Sequence, residues 1–183
     1  MRMNSRASFS RRRLALGFAA ILAFPAVPAF AGRKRFAGEQ PAKKFLGSIY
    51  QRYLGKSSAA GAGIPLTDVQ SVRSYFTYGL ASLILEDRAA ATRRGESPVL
   101  DSDPFLGRPE WDISDLSIDV KDTDALKTVG TVTFMNFGKP EKVVLELLRS
   151  GEEWRIADVE WDSGRLRDLY RHKATYDGEA VAD

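Results

Sequence analysis

The sequence contains no cysteine and only one histidine, His172. Without cysteine the chain can form no disulfide bond, no thiolate metal site and no lipidated N-terminal cysteine, so its fold must depend on hydrophobic packing. A single histidine makes a zinc site unfavourable, because carboxylates would have to supply nearly all of its ligands. A Ser-His-Asp triad would have to use a histidine close to the chain end. We therefore expect neither a bound metal nor a cofactor.

Acidic residues are absent from the first 31 positions, which contain five arginines. The apolar run Leu14 to Ala31 closes this segment and ends on Ala29-Phe30-Ala31. This is the order of the n-region, the h-region and the small-residue cleavage site of a secretory signal. We expect residues 1–31 to be a signal peptide cleaved before Gly32, which predicts a soluble periplasmic protein. The alternative is an uncleaved signal that anchors the chain in the membrane.

The arginines of this signal suggest an export route. The segment Ser10-Arg11-Arg12-Arg13-Leu14 resembles a twin-arginine signal with Arg11 and Arg12 as the paired residues, although the next two residues depart from the usual continuation. Residues 33–35 are all basic, and positive charge beside an apolar segment resists passage across a membrane. A route that carries folded protein tolerates that cluster better, so the pattern favours twin-arginine export over the general route.

Removal of the signal also removes the excess of positive charge. The whole chain has 27 Lys and Arg against 24 Asp and Glu, a formal net charge of +3. Residues 32–183 keep 22 of the basic residues and all 24 acidic ones, which gives a net charge of −2. The basic clusters belong to export and have no interleaved aromatic residues, so we expect no binding of nucleic acid.

The 152 residues after the signal suit a single domain with a real hydrophobic core. Residues 32–40 are polar and basic without periodicity, which predicts a flexible leader. The domain itself is predicted over residues 41–172, and the polar residues 173–183 form a disordered tail.

Helical periodicity dominates the first half of this domain. Apolar residues recur at i, i+3 and i+4 from Pro41 to Leu54, which predicts one amphipathic helix. The spacing of Thr67 and Gln70 matches a capping box, and a second helix is predicted from there to about Arg93 with a break near Gly79.

Strand alternation dominates the second half. The predicted strands are Ser114–Val120, Val129–Phe137, Val143–Leu148 and Trp154–Trp161, followed by a short closing helix around Leu166–Tyr170. The connections between the last three strands are short, so their neighbours must be antiparallel. Helices before an antiparallel meander predict an α+β fold with the N-terminal helices packed in the concave face of a curved sheet. Such a cone can enclose a pocket at its open end.

Several spaced motifs resemble a known bacterial envelope family, catalogued as domain of unknown function 3828. They are Phe45–Tyr53, Asp103-Pro104-Phe105, Trp111-Asp112-Ile113 and Trp154–Trp161, within a likeness that runs from about Pro41 to Tyr170. The resemblance implies a cone-shaped fold similar to nuclear transport factor 2, and it implies no reaction. Some members look like lipoproteins, whereas this chain has no cysteine to lipidate and is better interpreted as a free periplasmic protein.

Two carboxylates, Asp158 and Asp87, are candidates for a general base, because cone folds have housed isomerases and dehydratases. Asp158 is predicted to share a strand face with Trp154 and Ile156, where an apolar environment would raise its pKa. The alternative is a carboxylate satisfied by a backbone N–H or by an arginine from the helices. Asp87 ends the apolar stripe of the second helix, where a solvated or ion-paired residue is the alternative. Asp103 precedes a proline, and we interpret it as a turn or helix cap in place of a calcium ligand.

The aromatic residues on the predicted helices face those on the sheet. Core packing is the default for this spacing, and a ligand cavity is the alternative. The candidate pocket residues are Tyr50, Tyr53, Asp87, Asp103, Trp111, Asp158 and Trp161.

Our leading hypothesis from the sequence is a non-enzymatic periplasmic module. It would bind a small apolar ligand or an envelope protein partner through the cone mouth or the exposed sheet face, and a homodimer through that face is also compatible. The alternative is a small lyase or isomerase with Asp158 or Asp87 as its base.

Overall fold

The computed structural model describes residues 39–171. Several predictions concern residues outside this range: the paired Arg11 and Arg12, the cleavage site at Ala29, Ala31 and Gly32, the leader before Glu39, and the tail 173–183.

Helices come first in the chain, as predicted. They are α1 (Glu39–Tyr50), α2 (Val69–Tyr75) and α3 (Tyr78–Arg94), with a 3-10 turn at Gln51–Tyr53 and a short C-terminal helix over residues 166–171. α1 begins two residues before Pro41, which the first helical turn tolerates because its N–H groups lack intrahelical acceptors. The side chains of Leu46, Ile49 and Tyr53 are fully buried, which confirms the apolar face of this segment.

The second predicted helix is divided, and its cap lies one residue later than predicted. Asp68 and Ser71 form the capping box of α2, in place of Thr67 and Gln70. The break between α2 and α3 occurs at Phe76 and Thr77, not at Gly79. At this break the Thr77 N–H donates to the carbonyl of Ile156 at 2.9 Å, so pairing with the sheet interrupts the helix.

The sheet has six antiparallel strands in the order β1-β2-β3-β4-β5-β6. Their bounds are β1 (Gly55–Lys56), β2 (Asp112–Asp122), β3 (Lys127–Asn136), β4 (Lys139–Ser150), β5 (Glu153–Trp161) and β6 (Gly164–Arg165). The four predicted strands are all present, and the two-residue strands at either side were too short to give a periodic signal. The predicted α+β class with an antiparallel meander is confirmed.

The core lies between the helices and the sheet. α1 packs against β2, β3 and β5, whereas α2 and α3 pack against β5. Leu46 of α1 lies so close to Gly130 of β3 that a Cβ at this glycine would collide with its methyl group. The helix therefore crosses β3 at the single glycine of this strand.

Candidate functional site

The interior between helices and sheet is filled by an aromatic cluster, which consists of Tyr50, Tyr53, Tyr75, Phe76, Phe105, Trp111 and Phe134. The rings of Tyr53 and Trp111 lie 5.0 Å apart, and those of Phe76 and Phe105 are stacked at 5.5 Å. These contacts have the spacing of favourable aromatic packing. Tyr50, Tyr53 and Trp111 thus occupy the core, and the ligand pocket around them stays a prediction.

Asp103 fastens a tight turn to this cluster. Its Oδ2 accepts a hydrogen bond from the Tyr53 hydroxyl at 2.7 Å, and its Oδ1 accepts from the backbone N–H of Phe105 at 2.8 Å. Burial raises the pKa of Asp103 to about 6, although the bonds from Tyr53 and Phe105 act in the opposite direction. Both oxygens are held by donors of the protein, which is the geometry of the predicted turn.

The two tyrosines of the cluster also use their hydroxyls structurally. The Tyr50 hydroxyl donates to the carbonyl of Phe105 at 2.9 Å. Burial, reinforced by the charge of Asp103, raises the pKa of both Tyr50 and Tyr53 well above the usual value. Each hydroxyl therefore stays protonated and donates, which links α1 and the 3-10 turn to the segment around Asp103.

Asp87 of α3 is buried. From the sequence it was either a solvated or ion-paired residue or a catalytic one, and its burial excludes the solvated alternative. Its exposed fraction is 7%, and its Oδ2 accepts from the backbone N–H of Val99 at 2.7 Å. This bond joins the turn-rich segment before β2 to the third helix. The negative charge of Asp87 also contributes, after burial, to the raised pKa of Tyr170.

Asp158 lies on the opposite sheet face from the one predicted. β4 pairs Leu147 with Ile156 but Glu146 with Asp158, so Ala157 is the extra residue of a β-bulge. The bulge restarts the alternation, and Asp158 points away from the face of Trp154 and Ile156. Strand periodicity alone gives the wrong face because an inserted residue leaves no mark in the pattern.

Backbone donors satisfy Asp158 in this position. Its Oδ1 accepts from the N–H of Val159 at 3.0 Å and from the N–H of Arg167 at 3.1 Å, and the Arg165 guanidinium lies 3.7 Å from Oδ2. Burial raises the pKa of Asp158, against the effect of these donors. The carboxylate ties the C-terminal helix to β5.

Trp161 lies at the end of β5 with its indole ring over Gly107. This glycine has φ of +69°, and a Cβ there would come within 2.8 Å of the ring. Only glycine suits both the left-handed conformation and the close approach. Trp161 therefore covers the turn that Asp103 organises.

A surface groove lies between α1 and β2, and we call it the α1–β2 groove. Its volume is about 670 Å³, and its lining residues are Gln40, Lys43, Lys44, Gly47, Ser48, Gln51, Leu116, Ser117 and Ile118. A Cβ placed on Gly47 would meet no heavy atom within 4 Å. Glycine inside a helix costs about 0.5–1 kcal/mol relative to alanine, and no contact within the described residues requires it here.

One edge of the sheet is open beside this groove. β1 pairs with β2 only at Asp112 and Ile113, so within residues 39–171 no strand covers the outer side of residues 114–122. Such an edge presents unpaired backbone N–H and C=O groups. Strand order is a tertiary property, so the sequence alone did not predict this surface. The alternating Asp119 and Lys121, a common feature of edge strands, were the available signal.

No three His, Asp or Glu side chains of the described residues are grouped to hold a metal ion. Nor does the described part of the chain contain a helix long and apolar enough to cross a membrane.

Comparison with known proteins assigns no class. No protein-family model matches the chain, and no curated protein matches it. A solved structure that does match is the crystal structure of the type VI native effector-immunity complex Tae3-Tai3 from Ralstonia pickettii. The match has 18% identity and a TM-score of 0.46, and it covers 70% of this chain and 97% of the other. A likeness of this extent assigns neither a family nor a partner.

Proposed function

We propose that this chain is an exported, non-enzymatic protein-interaction module that binds a protein partner along the α1–β2 groove and the open edge of β2. The observation that carries the proposal is the position of the uncovered strand edge, residues 114–122, directly beside a groove of about 670 Å³. Strand edges bind extended protein segments through backbone hydrogen bonds, and adjacent grooves accommodate the side chains of such segments.

The groove offers three kinds of contact to a protein segment. Leu116 and Ile118 are half-buried apolar residues that a partner would cover further. Lys43 and Lys44 supply positive charge, and none of the groove-lining residues is acidic. The bare helix surface at Gly47 allows close approach of another backbone. Together they favour a protein segment that carries acidic groups near α1.

Catalysis has less support. Asp103 and Asp158 both have raised pKa values, but their oxygens already accept hydrogen bonds from Tyr53, Phe105, Val159 and Arg167. A general base needs to reach a substrate proton, and neither carboxylate lines the groove.

The wider setting belongs to the same proposal. We place the chain in the periplasm, in the envelope family of unknown function, with a cone-shaped fold similar to nuclear transport factor 2. In support, residues from three of the resembling motifs meet in one cluster: Tyr53 bonds Asp103, and its ring contacts Trp111. Motifs that pack on one another are what a shared fold requires.

The test is a capture experiment with two matched variants. Gly47→Gln places a helix-favouring side chain in the groove, and Gly79→Gln places the same side chain on α3, where the nearest atom to a new Cβ is 3.9 Å away. We expect both variants to fold. Immobilised parent and Gly79→Gln should retain the same protein from an envelope extract, identified by mass spectrometry, and Gly47→Gln should lose it. Equal retention by all three proteins, or recovery of a small apolar molecule alone, contradicts the proposal.

A further inference from the structure

The open edge of β2 has a side-chain pattern that is complementary to itself. Along its outward face the strand presents Asp119 and Lys121, both exposed, whereas Ile118 and Val120, which alternate with them, turn inward and are half-buried. In an antiparallel pair, residues directly opposite each other share a face of the sheet. If a second copy of this strand pairs with the first, the Asp119 and Lys121 side chains of both copies lie on the same face of the joined sheet.

The register of the pairing decides whether these charges attract or repel each other. If Val120 lies opposite Val120 of the second copy, Asp119 faces Lys121 and Lys121 faces Asp119, which gives two symmetric ion pairs and an apolar centre. A shift of the centre to Asp119 places two carboxylates opposite each other, and a shift to Lys121 places two ammonium groups together. A register that sets Asp119 opposite Val120 is excluded, because directly opposite residues share a face of the sheet.

We propose that the partner at this surface is a second copy of the chain, paired antiparallel along β2 with Val120 at the two-fold axis. The inference rests on the proposed function and names the partner of the same edge. The pairing joins two six-stranded sheets into one and satisfies, in both copies, those backbone N–H and C=O groups of residues 117–122 that point away from β3. Charged residues on an edge strand ordinarily discourage association, but here opposite signs two residues apart match across a two-fold axis.

The experiment measures the dimer dissociation constant of the purified full chain by sedimentation equilibrium. Asp119→Lys creates two like-charge pairs across the axis, and so does Lys121→Asp. We expect each variant to weaken the dimer by about tenfold. The double variant Asp119→Lys with Lys121→Asp reverses both pairs and should restore parental affinity. An equimolar mixture of the two single variants should form a heterodimer for the same reason.

Restored dimer affinity in the double variant distinguishes an ion pair across the axis from a structural role of either side chain within its own copy. A monomeric parent chain overturns the inference, whether the edge is then covered by the chain's own leader or by another protein. A dimer that is indifferent to all three charge variants overturns it as well. If the parent is monomeric while Gly47→Gln still loses a captured protein, the proposed function stands without this partner. If no variant changes either assembly or capture, both fail.

Discussion

At the scale of single residues, three buried or half-buried carboxylates hold segments of the described chain together. Asp103 accepts from Tyr53 and Phe105, Asp87 accepts from Val99, and Asp158 accepts from Arg167, so each one bonds a backbone or hydroxyl donor from another part of the chain. Loops and short helices have few apolar contacts of their own, and such bonds fix them to the core. The cost of burial appears as raised pKa values at Asp103 and Asp158.

The raised pKa of Asp103 predicts how stability depends on pH. Its pKa is about 6 in the folded chain and about 3.8 in the unfolded one, so between these values the folded state binds the additional proton. The free energy of unfolding should therefore fall as the pH rises from about 4 to about 6, by up to about 1.4 kcal/mol per unit from this group. Urea titrations of parent and Asp103→Asn at several pH values measure it. Parallel pH profiles for the two proteins would refute the prediction.

Asp158→Ala should destabilise the fold by about 1–3 kcal/mol, because it leaves the N–H groups of Val159 and Arg167 without an acceptor. Glu160→Ala is the matched control: Glu160 lies on the same strand, and its ion pair with Arg165 is solvent-exposed. The control should change stability far less. Thermal melts at neutral pH compare the two. If Asp158→Ala were as stable as the parent, the structural role of Asp158 would be contradicted and the lyase or isomerase hypothesis would take precedence.

At the scale of elements, two glycines near the crossing of α1 and β3 have opposite surroundings. Gly130 lies beneath Leu46, where a Cβ would collide with a fully buried side chain, whereas Gly47 faces the open α1–β2 groove. The first glycine is required by packing, and the second is not required by any contact within the described residues.

Alanine substitutions at these positions should have opposite signs. Gly130→Ala should destabilise by about 1–3 kcal/mol, because Leu46 must leave its position in a packed core. Gly47→Ala should stabilise by about 0.5–1 kcal/mol, since alanine favours the helix and has room. Chemical denaturation of the two variants and the parent measures both effects. A stable Gly130→Ala protein would show that α1 can shift on the sheet.

At the scale of the whole molecule, charge is distributed unevenly along the sequence. The first 31 residues hold five arginines and no acid, while the rest of the chain has a net charge of −2. This asymmetry fits an N-terminal export signal followed by an acidic domain.

Export predicts a specific N-terminus. Mass spectrometry of the protein from the periplasmic fraction should find Gly32 as the first residue. Replacement of Arg11 and Arg12 by lysine should stop export if the twin-arginine route is used, and undiminished export would indicate the general route. Recovery of only the full-length chain in the membrane fraction would contradict cleavage.

The sequence by itself determined the order and type of the main elements, because helix and strand periodicity are local and buried side chains repeat with them. It also gave the buried face of α1 and the turn at Asp103, where short-range chemistry decides the conformation. The face of Asp158 could not be predicted, since the bulge at Ala157 depends on pairing with β4. The open edge of β2 and the groove beside it likewise arise only when strands and helices pack, since which strand lacks a neighbour is decided by contacts between distant parts of the chain.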